Sequence, residues 1–372
     1  MKKIERNDRC WCGSGKKYKV CHMDRDQQPK VTLEDKLKSV KREYSEAKYC
    51  LHPDVQKGCH GKIASAHTIQ RNGGLSEIAE NGHVIDFNGS GADILKQGHI
   101  TASSTGIKDA SVFTGFCEWH DKETFKPIET HPFCGSDQQC FLLAYRAVCK
   151  ELYERRIGTE IIPFLRSMDR GMPRANQTAL QTAVDQYERW NVYRRDCTGV
   201  HKQTYDTILK TGDCSSVKWY VVNLSGVPDI LCSAAYCPRF DFTGKLIQDA
   251  DTRRIFDIVT CSIIPTDNGG SIVFSWVGES EACHRFVQSL DAHGDEALVQ
   301  AVVRLLFYSF KTIYGRHSWW NSLDTTTQNM LIRRREMGMG PEHSLHPAAY
   351  TDDGVKSVHW KIRSRETNLV GL

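Results

Sequence analysis

The chain lacks any long apolar run: nowhere does it approach the roughly 18 consecutive apolar residues of a membrane-spanning helix. Its start carries Lys2 and Lys3 instead of an apolar signal segment, so a cytoplasmic location is expected. A dominant charge is missing too. Lys and Arg number 49 against 45 Asp and Glu, and the formal net charge of +4 is too small by itself to mark a polyanion-binding protein. There is no internal repeat and no low-complexity tract. There is also no P-loop, no dinucleotide fingerprint and no recognisable Ser-His-Asp set, which removes the sequence-level case for a P-loop NTPase, a Rossmann dehydrogenase or a serine hydrolase. What remains is ordinary globular composition, 40% hydrophobic and 25% charged, in 372 residues, enough for two or three domains with real cores.

Cysteine is plentiful. Of the 15, six fall into two local clusters with histidines, which is how a reducing compartment uses cysteine to hold metal. The other nine, Cys134, Cys140, Cys149, Cys197, Cys214, Cys232, Cys237, Cys261 and Cys283, are mostly embedded in apolar patterns and read as small core hydrophobes.

The first cluster packs four soft donors, Cys10, Cys12, Cys21 and His22, into thirteen residues. Gly13 and Gly15 permit the positive φ angles that turn the chain back on itself, and the donor set suits a closed tetrahedral Zn²⁺. Lys2, Lys3, Arg6, Arg9, Lys16, Lys17 and Lys19 surround Trp11 and Tyr18. That patch suits phosphate contacts and base stacking, or is simply a solvated basic surface. With Arg6-Asn7-Asp8 ahead of it, the run Cys10-x-Cys12-Gly-Ser-Gly-Lys-Lys-Tyr-x-x-Cys21-His22 resembles the SEC-C motif, known as the zinc-binding tail of the preprotein translocase motor and fused to many other bacterial proteins. The resemblance implies a structural zinc module, without chemistry of its own, that docks on a protein partner or the ribosome. Arg9 and Trp11 stand where that family carries prolines, and neither is a ligand.

The expected organisation is multi-domain α+β. It comprises a SEC-C finger at 1–28, a helical linker at 29–48 with Leu33, Leu37, Val40 and Tyr44 at helical spacing, and a second zinc domain at 49–135, rich in Gly, His and Cys. A helical segment follows at 136–212, and an α+β C-terminal domain at 213–372. In the last, Lys218 to Leu224, Ile230 to Ala235, Ile255 to Ile264 and Ser271 to Val277 read as strands, with Asn268-Gly269-Gly270 as a hairpin turn; Glu281 to Leu290 and Glu296 to Tyr314 read as helices.

In the second cluster, the pairs Cys50/Cys59 and Cys117/His120 make one site, in the order knuckle, hairpin, helix of a treble-clef finger. The gap between Cys50 and Cys59 is wide, so His52 and His60 stand as alternatives to one of them, and free buried thiols as the alternative to a metal. A helix should begin near Cys117, with acids in its first turns, and stop early at Pro127. Ala66-His67-Thr68-Ile69, followed by Cys-x2-ligand at a helix start, resembles the HNH (His-Me finger) nucleases over residues 50 to 130. By that resemblance His67 is the base that activates water, Asp121 holds Mg²⁺ or Mn²⁺ on a scissile phosphate, and nucleic acid is the partner. Asp121 replaces the family's histidine, and Ala110-Ser111-Val112 occupy the place of an orienting asparagine. A structural or zinc-binding role for His67 stays open, and His83 reads as a hairpin-turn residue. The aromatic clusters Phe274-Ser275-Trp276 and Ser318-Trp319-Trp320 read as core or interface, and Glu279, Glu281 and His284 as a solvated helix start. Two function classes follow: an HNH-like nuclease, in a modular architecture common in bacterial defence, and a non-catalytic zinc adaptor that docks on protein or ribosome partners.

Overall fold

The computed structural model describes residues 4–55, 59, 61–88, 98–249, 255–339 and 346–372. Packing divides the chain into two compact units, Met1–Ala47 with Glu154–Asp196, and Lys48–Tyr153 with Cys197–Leu372. Both boundaries in the second half of this division fall inside long helices, α4 (Asp137–Glu160) and α6 (Arg174–Thr211), because an α-helix is continuous in hydrogen bonding where its side-chain contacts change.

The first unit holds the finger, with its single helical turn α1 (Tyr18–Cys21), then α2 (Leu33–Glu46) and the short α5 (Ile162–Ser167). Helix α2 starts as its sequence dictates: Thr32 accepts from the Asp35 amide while the Asp35 carboxylate accepts from the Thr32 amide, a complete capping box. Gly158 lets α4 approach α6 closely, since a Cβ there would lie 2.8 Å from both the Asn191 Oδ1 and the Tyr187 hydroxyl.

Among the described residues, the second unit is built on an eight-stranded sheet whose neighbouring strands all pair antiparallel. Its strands are β2 (His83–Asp86), β3 (Ser103–Gly106), β5 (Val217–Leu224), β6 (Ile230–Tyr236), β7 (Val259–Thr266), β8 (Gly269–Val277), β9 (Ile313–Gly315) and β10 (Ile362–Thr367), in the order β10-β5-β8-β7-β6-β9-β2-β3. One face is apolar. Tyr220, Val222, Cys261, Ile263, Ile272, Phe274 and Trp276 pack there with α7 (Glu281–Asp291) and the almost wholly buried α8 (Asp295–Ser309). The alternate residues Ser233, Thr260, Ser262, Ser271 and Ser275 are buried as well, and Val221 and Val273 on that second face pack with Cys140 of α4. Trp319 and Trp320, on α9 (His317–Ser322), belong to the first core and contact Phe87 edge-on. Helix α10 (Thr325–Met339) lies against α8.

Several expectations shift. Strands β2 and β3, expected inside a separate metal-built domain, pair with each other and, through β2, with β9, and so extend the sheet; Val84, Ile85 and Phe87 enter its core. The helix expected over Glu296 to Tyr314 ends at Ser309, and Ile313–Gly315 instead forms a strand. Asn81 and Gly82, at φ 52° and 75°, form the tight turn before His83, which is the first residue of β2.

Candidate metal centres

In the finger, the Arg9–Lys17 bridge and the Cys10 amide bond to the Lys16 carbonyl, 2.8 Å, fold the loop; Gly13 and Gly15 take φ of 75° and 71° inside it. The result brings Cys10, Cys12, Cys21 and His22 together, their donor atoms all within 4.8 Å of one another. His22 Nδ1 lies 3.2 Å from the sulfurs of both Cys10 and Cys21, and Cys12 Sγ 3.6 Å from Cys21 Sγ. A tetrahedral zinc with ordinary Zn–S and Zn–N bonds needs donor separations of about 3.5 to 3.8 Å, so the set fits with small adjustments. Burial pushes the Cys10 thiol up to about 12. It also works against Cys12, but hydrogen bonds from Ser14 and the neighbouring thiols bring that group down to about 7. Such a cluster gives up its protons as a cation arrives.

The other ring nitrogen of His22 points the opposite way. Nε2 sits 2.7 Å from Asp169 Oδ2, whose side chain is fully buried. Trp11, half-buried, packs against the ligand histidine: its ring lies 4.6 Å from that of His22, and the Arg174 guanidinium lies 5.7 Å from it. The basic residues Arg6, Arg9, Lys16, Lys17 and Lys19 remain exposed.

In the second unit, residues 61–67 run antiparallel beside 112–118. Strand β1 (Ala66–His67) pairs with β4 (Val112–Phe113), Ile63 bridges Cys117, and the Ala64 amide donates to the Phe116 carbonyl at 2.8 Å. Leu51 donates its amide to the Gly115 carbonyl, 2.8 Å, and its own carbonyl accepts from the buried Lys202 ammonium, also 2.8 Å, which fixes Cys50 beside the turn. A side chain at 115 would strike the Phe113 ring at 2.4 Å, so glycine is required there. Cys117 is the N-cap of α3 (Glu118–Glu129), and its sulfur accepts from the His120 amide. Cys50, Cys59, Cys117 and His120 thereby converge, with Nδ1 of His120 at 3.4, 3.6 and 3.2 Å from the three sulfurs.

His52 is not among these donors. It stacks flat on His120, centroids 3.8 Å apart, and burial together with the charge of His120 lowers it to about 4. His60 lies outside the described residues. Pro127 does not stop α3, which runs to Glu129 and closes with the Thr130 amide on the Lys126 carbonyl at 3.0 Å.

Residues 6–24 match the SEC-C motif. No curated protein and no solved structure matches the chain. The match covers the first cluster and leaves the second without a named relative.

His67 and Asp121 sit on the two elements next to the second cluster. His67 is half-buried on β1, its Nε2 3.2 Å from the Ile107 carbonyl; burial lowers its pKa, the carbonyl partly offsetting this. Asp121 lies in the first turn of α3. Its Oδ1 is buried with no hydrogen-bond partner among the described residues, and burial pushes the carboxyl up to about 6, opposed by Arg146 and reinforced by Glu129. Arg146 and Glu129 act electrostatically on both His67 and Asp121, and they bond to each other at 2.5 Å. Among the described residues no cluster of three or more metal-binding side chains includes His67 or Asp121. A cavity of about 330 Å³ is walled by Thr68, Gln70, Glu129, Arg146, Ser233 and Ser262, and neither His67 nor Asp121 is among its described lining residues. Sequence reasoning missed Asp169, Lys202 and Arg146, which are set against these sites only by contacts made far along the chain.

Proposed function

We propose that this is a zinc-built protein that handles nucleic acid, and that its second metal module is an HNH-like centre for metal-dependent phosphodiester hydrolysis. The observation that carries this is the placement of His67 on a strand hydrogen-bonded to β4, directly before the helix that Cys117 caps and whose first turn holds Asp121. Both four-donor clusters take sulfur and nitrogen ligands of the kind zinc prefers, and zinc in each is a scaffold.

His67 is suited to act as base. Its lowered pKa keeps the imidazole neutral near pH 7, and Nε2–H donates a hydrogen bond to the Ile107 carbonyl, which fixes the tautomer and leaves Nδ1 to accept a proton from water. That carbonyl serves the orienting purpose of the asparagine that the sequence lacks. Asp121 offers an oxygen that no donor among the described residues uses, which fits a hard divalent cation such as Mg²⁺ or Mn²⁺. A cation held there supplies Lewis-acid stabilisation of the phosphate. Arg146 adds positive charge beside the same carboxylate.

The second reading, a zinc adaptor that docks on protein or ribosome partners, is favoured by the lack, among the described residues, of a cluster of three or more metal-binding side chains that includes Asp121, and by the exposed basic residues of the finger. The discriminating experiment is cleavage of plasmid, single-stranded DNA and RNA with Mg²⁺ or Mn²⁺. Under the nuclease reading His67→Ala lowers the rate by 10² or more with zinc content unchanged. A wild-type protein that cuts none of these substrates with either ion leaves the adaptor.

A further inference from the structure

We propose that Asp169 is the positioning carboxylate of the first metal site, so that metal binding by residues 10–22 and the setting of the helix-joining turn at 168–173 are one event. The inference is independent of the nuclease reading. It starts from the imidazole of His22, whose two nitrogens face different groups: Nδ1 lies 3.2 Å from two cysteine sulfurs, and Nε2 lies 2.7 Å from Asp169 Oδ2. The Nε2 proton is donated to the carboxylate, and the Nδ1 lone pair is aimed into the sulfur cluster. A histidine so held is a better and better-aimed ligand.

Asp169 is itself held on every side. Arg25 Nε donates to Oδ1 at 2.6 Å, and Gln181 Nε2 donates to Oδ2 at 2.7 Å. Its side chain is fully buried, and the hydrogen bonds from His22, Arg25 and Gln181 compensate the lost hydration of its charge. Gln181 and Arg25 also donate to the Arg166 carbonyl, at 2.8 and 3.2 Å, which ties the carboxylate to both helices flanking the turn. The contact is tight at the backbone as well. The Gly171 amide donates to the Arg25 carbonyl at 2.9 Å, and a Cβ on Gly171, at φ +69°, would lie 2.6 Å from the Gln28 carbonyl oxygen. Three separate observations therefore seat the finger on this turn: a carboxylate on the ligand, a backbone approach that requires glycine, and Arg174 over the Trp11 ring, which itself packs on His22. A finger of this kind is a clasp for the helices and not a free tail.

The test uses the full chain loaded with zinc or with Co²⁺. In Asp169→Asn, release of the first metal to a chelator should quicken about 10- to 100-fold while the second equivalent leaves at the wild-type rate, and the Co²⁺ ligand-field bands of the first site should shift. Gly171→Ala, which leaves every ligand and Asp169 in place, should quicken release in the same direction. In Cys12→Ser, which removes the first metal, backbone amides of residues 166–185 should lose protection from hydrogen exchange. Wild-type metal release in both Asp169→Asn and Gly171→Ala, or unchanged protection of 166–185 in Cys12→Ser, overturns the proposal. Should Asp169→Asn fail to fold, the other two variants decide it.

Discussion

His22 and His67 carry the same side chain into opposite kinds of environment. His22 is buried with both ring nitrogens engaged, one by sulfur and one by a carboxylate, and its position follows from partners on three different segments. His67 is half-buried against the Ile107 carbonyl, with positive charge from Arg71 and Arg146 near it, and burial above all favours its neutral form. That preference has a thermodynamic consequence. Its folded pKa lies below the unfolded value of about 6.5, so as pH falls through that value the unfolded chain takes up a proton that the folded chain resists, and stability is lost with acidification. We expect the wild type to lose more melting temperature between pH 7.5 and 5.5 than His67→Gln does, measured on the same metal-loaded preparations. Equal losses in the two proteins would contradict the burial argument. The cysteine ligands of the finger could be read from sequence because their donors lie within thirteen residues, whereas Asp169, 147 residues from His22, is an ordinary turn aspartate until the chain folds.

Elements were legible where one period of hydrophobicity dominates. Strands β5 to β8 announce themselves by β-branched runs, but the hairpin turns at Asp267 and Asn268, not at the expected Asn268-Gly269-Gly270: both glycines lie in β8, in the register that pairs Thr266 with Gly269 and Cys261 with Phe274. The end of α8 was not legible because Phe310 to Tyr314 is apolar enough to continue a helix; what stops it is the place beside β6 that Ile313 and Tyr314 fill. Edge strand β10 escaped for the opposite reason: Arg363, Arg365 and Glu366 give it the charge that edge strands carry to avoid further pairing. One helix contact is dictated by a single hydrogen. A Cβ on Gly338 of α10 would fall 1.6 Å from the Tyr308 carbonyl oxygen of α8, so Gly338→Ala must push the two helices apart. A loss of about 1 to 3 kcal/mol is expected in urea unfolding, with the slope unchanged. An unaltered midpoint would mean that α10 yields freely there.

At the scale of the whole molecule, the five-segment organisation expected from sequence missed one physical fact: the stretch around the second cluster contributes β2 and β3 to the large sheet. The glycine, histidine and cysteine content of residues 50–133 argued for a small module held together by metal, and for its ligand loops that argument stands, since residues 61–67 and 112–118 have only a short ladder of their own. Nothing in the same stretch says that Val84, Ile85 and Phe87 are core residues of a sheet whose other strands begin more than a hundred residues later. The two halves of this unit should therefore respond differently to loss of the second metal. In Cys117→Ser, metal content should fall from about two to about one per chain, because three donors hold zinc far more weakly than four. Amides of residues 61–69 and 112–120 should lose protection, since the metal supplies most of the free energy that orders them. Strands β5, β7 and β8 bury their own apolar face against α7 and α8, so their amides should keep the protection of the wild type. Hydrogen exchange followed by peptide mapping, with metal analysis of the same sample, gives both readouts. Two metals retained would show that Cys117 is no ligand, and loss of protection throughout β5, β7 and β8 would show that the sheet depends on the metal after all.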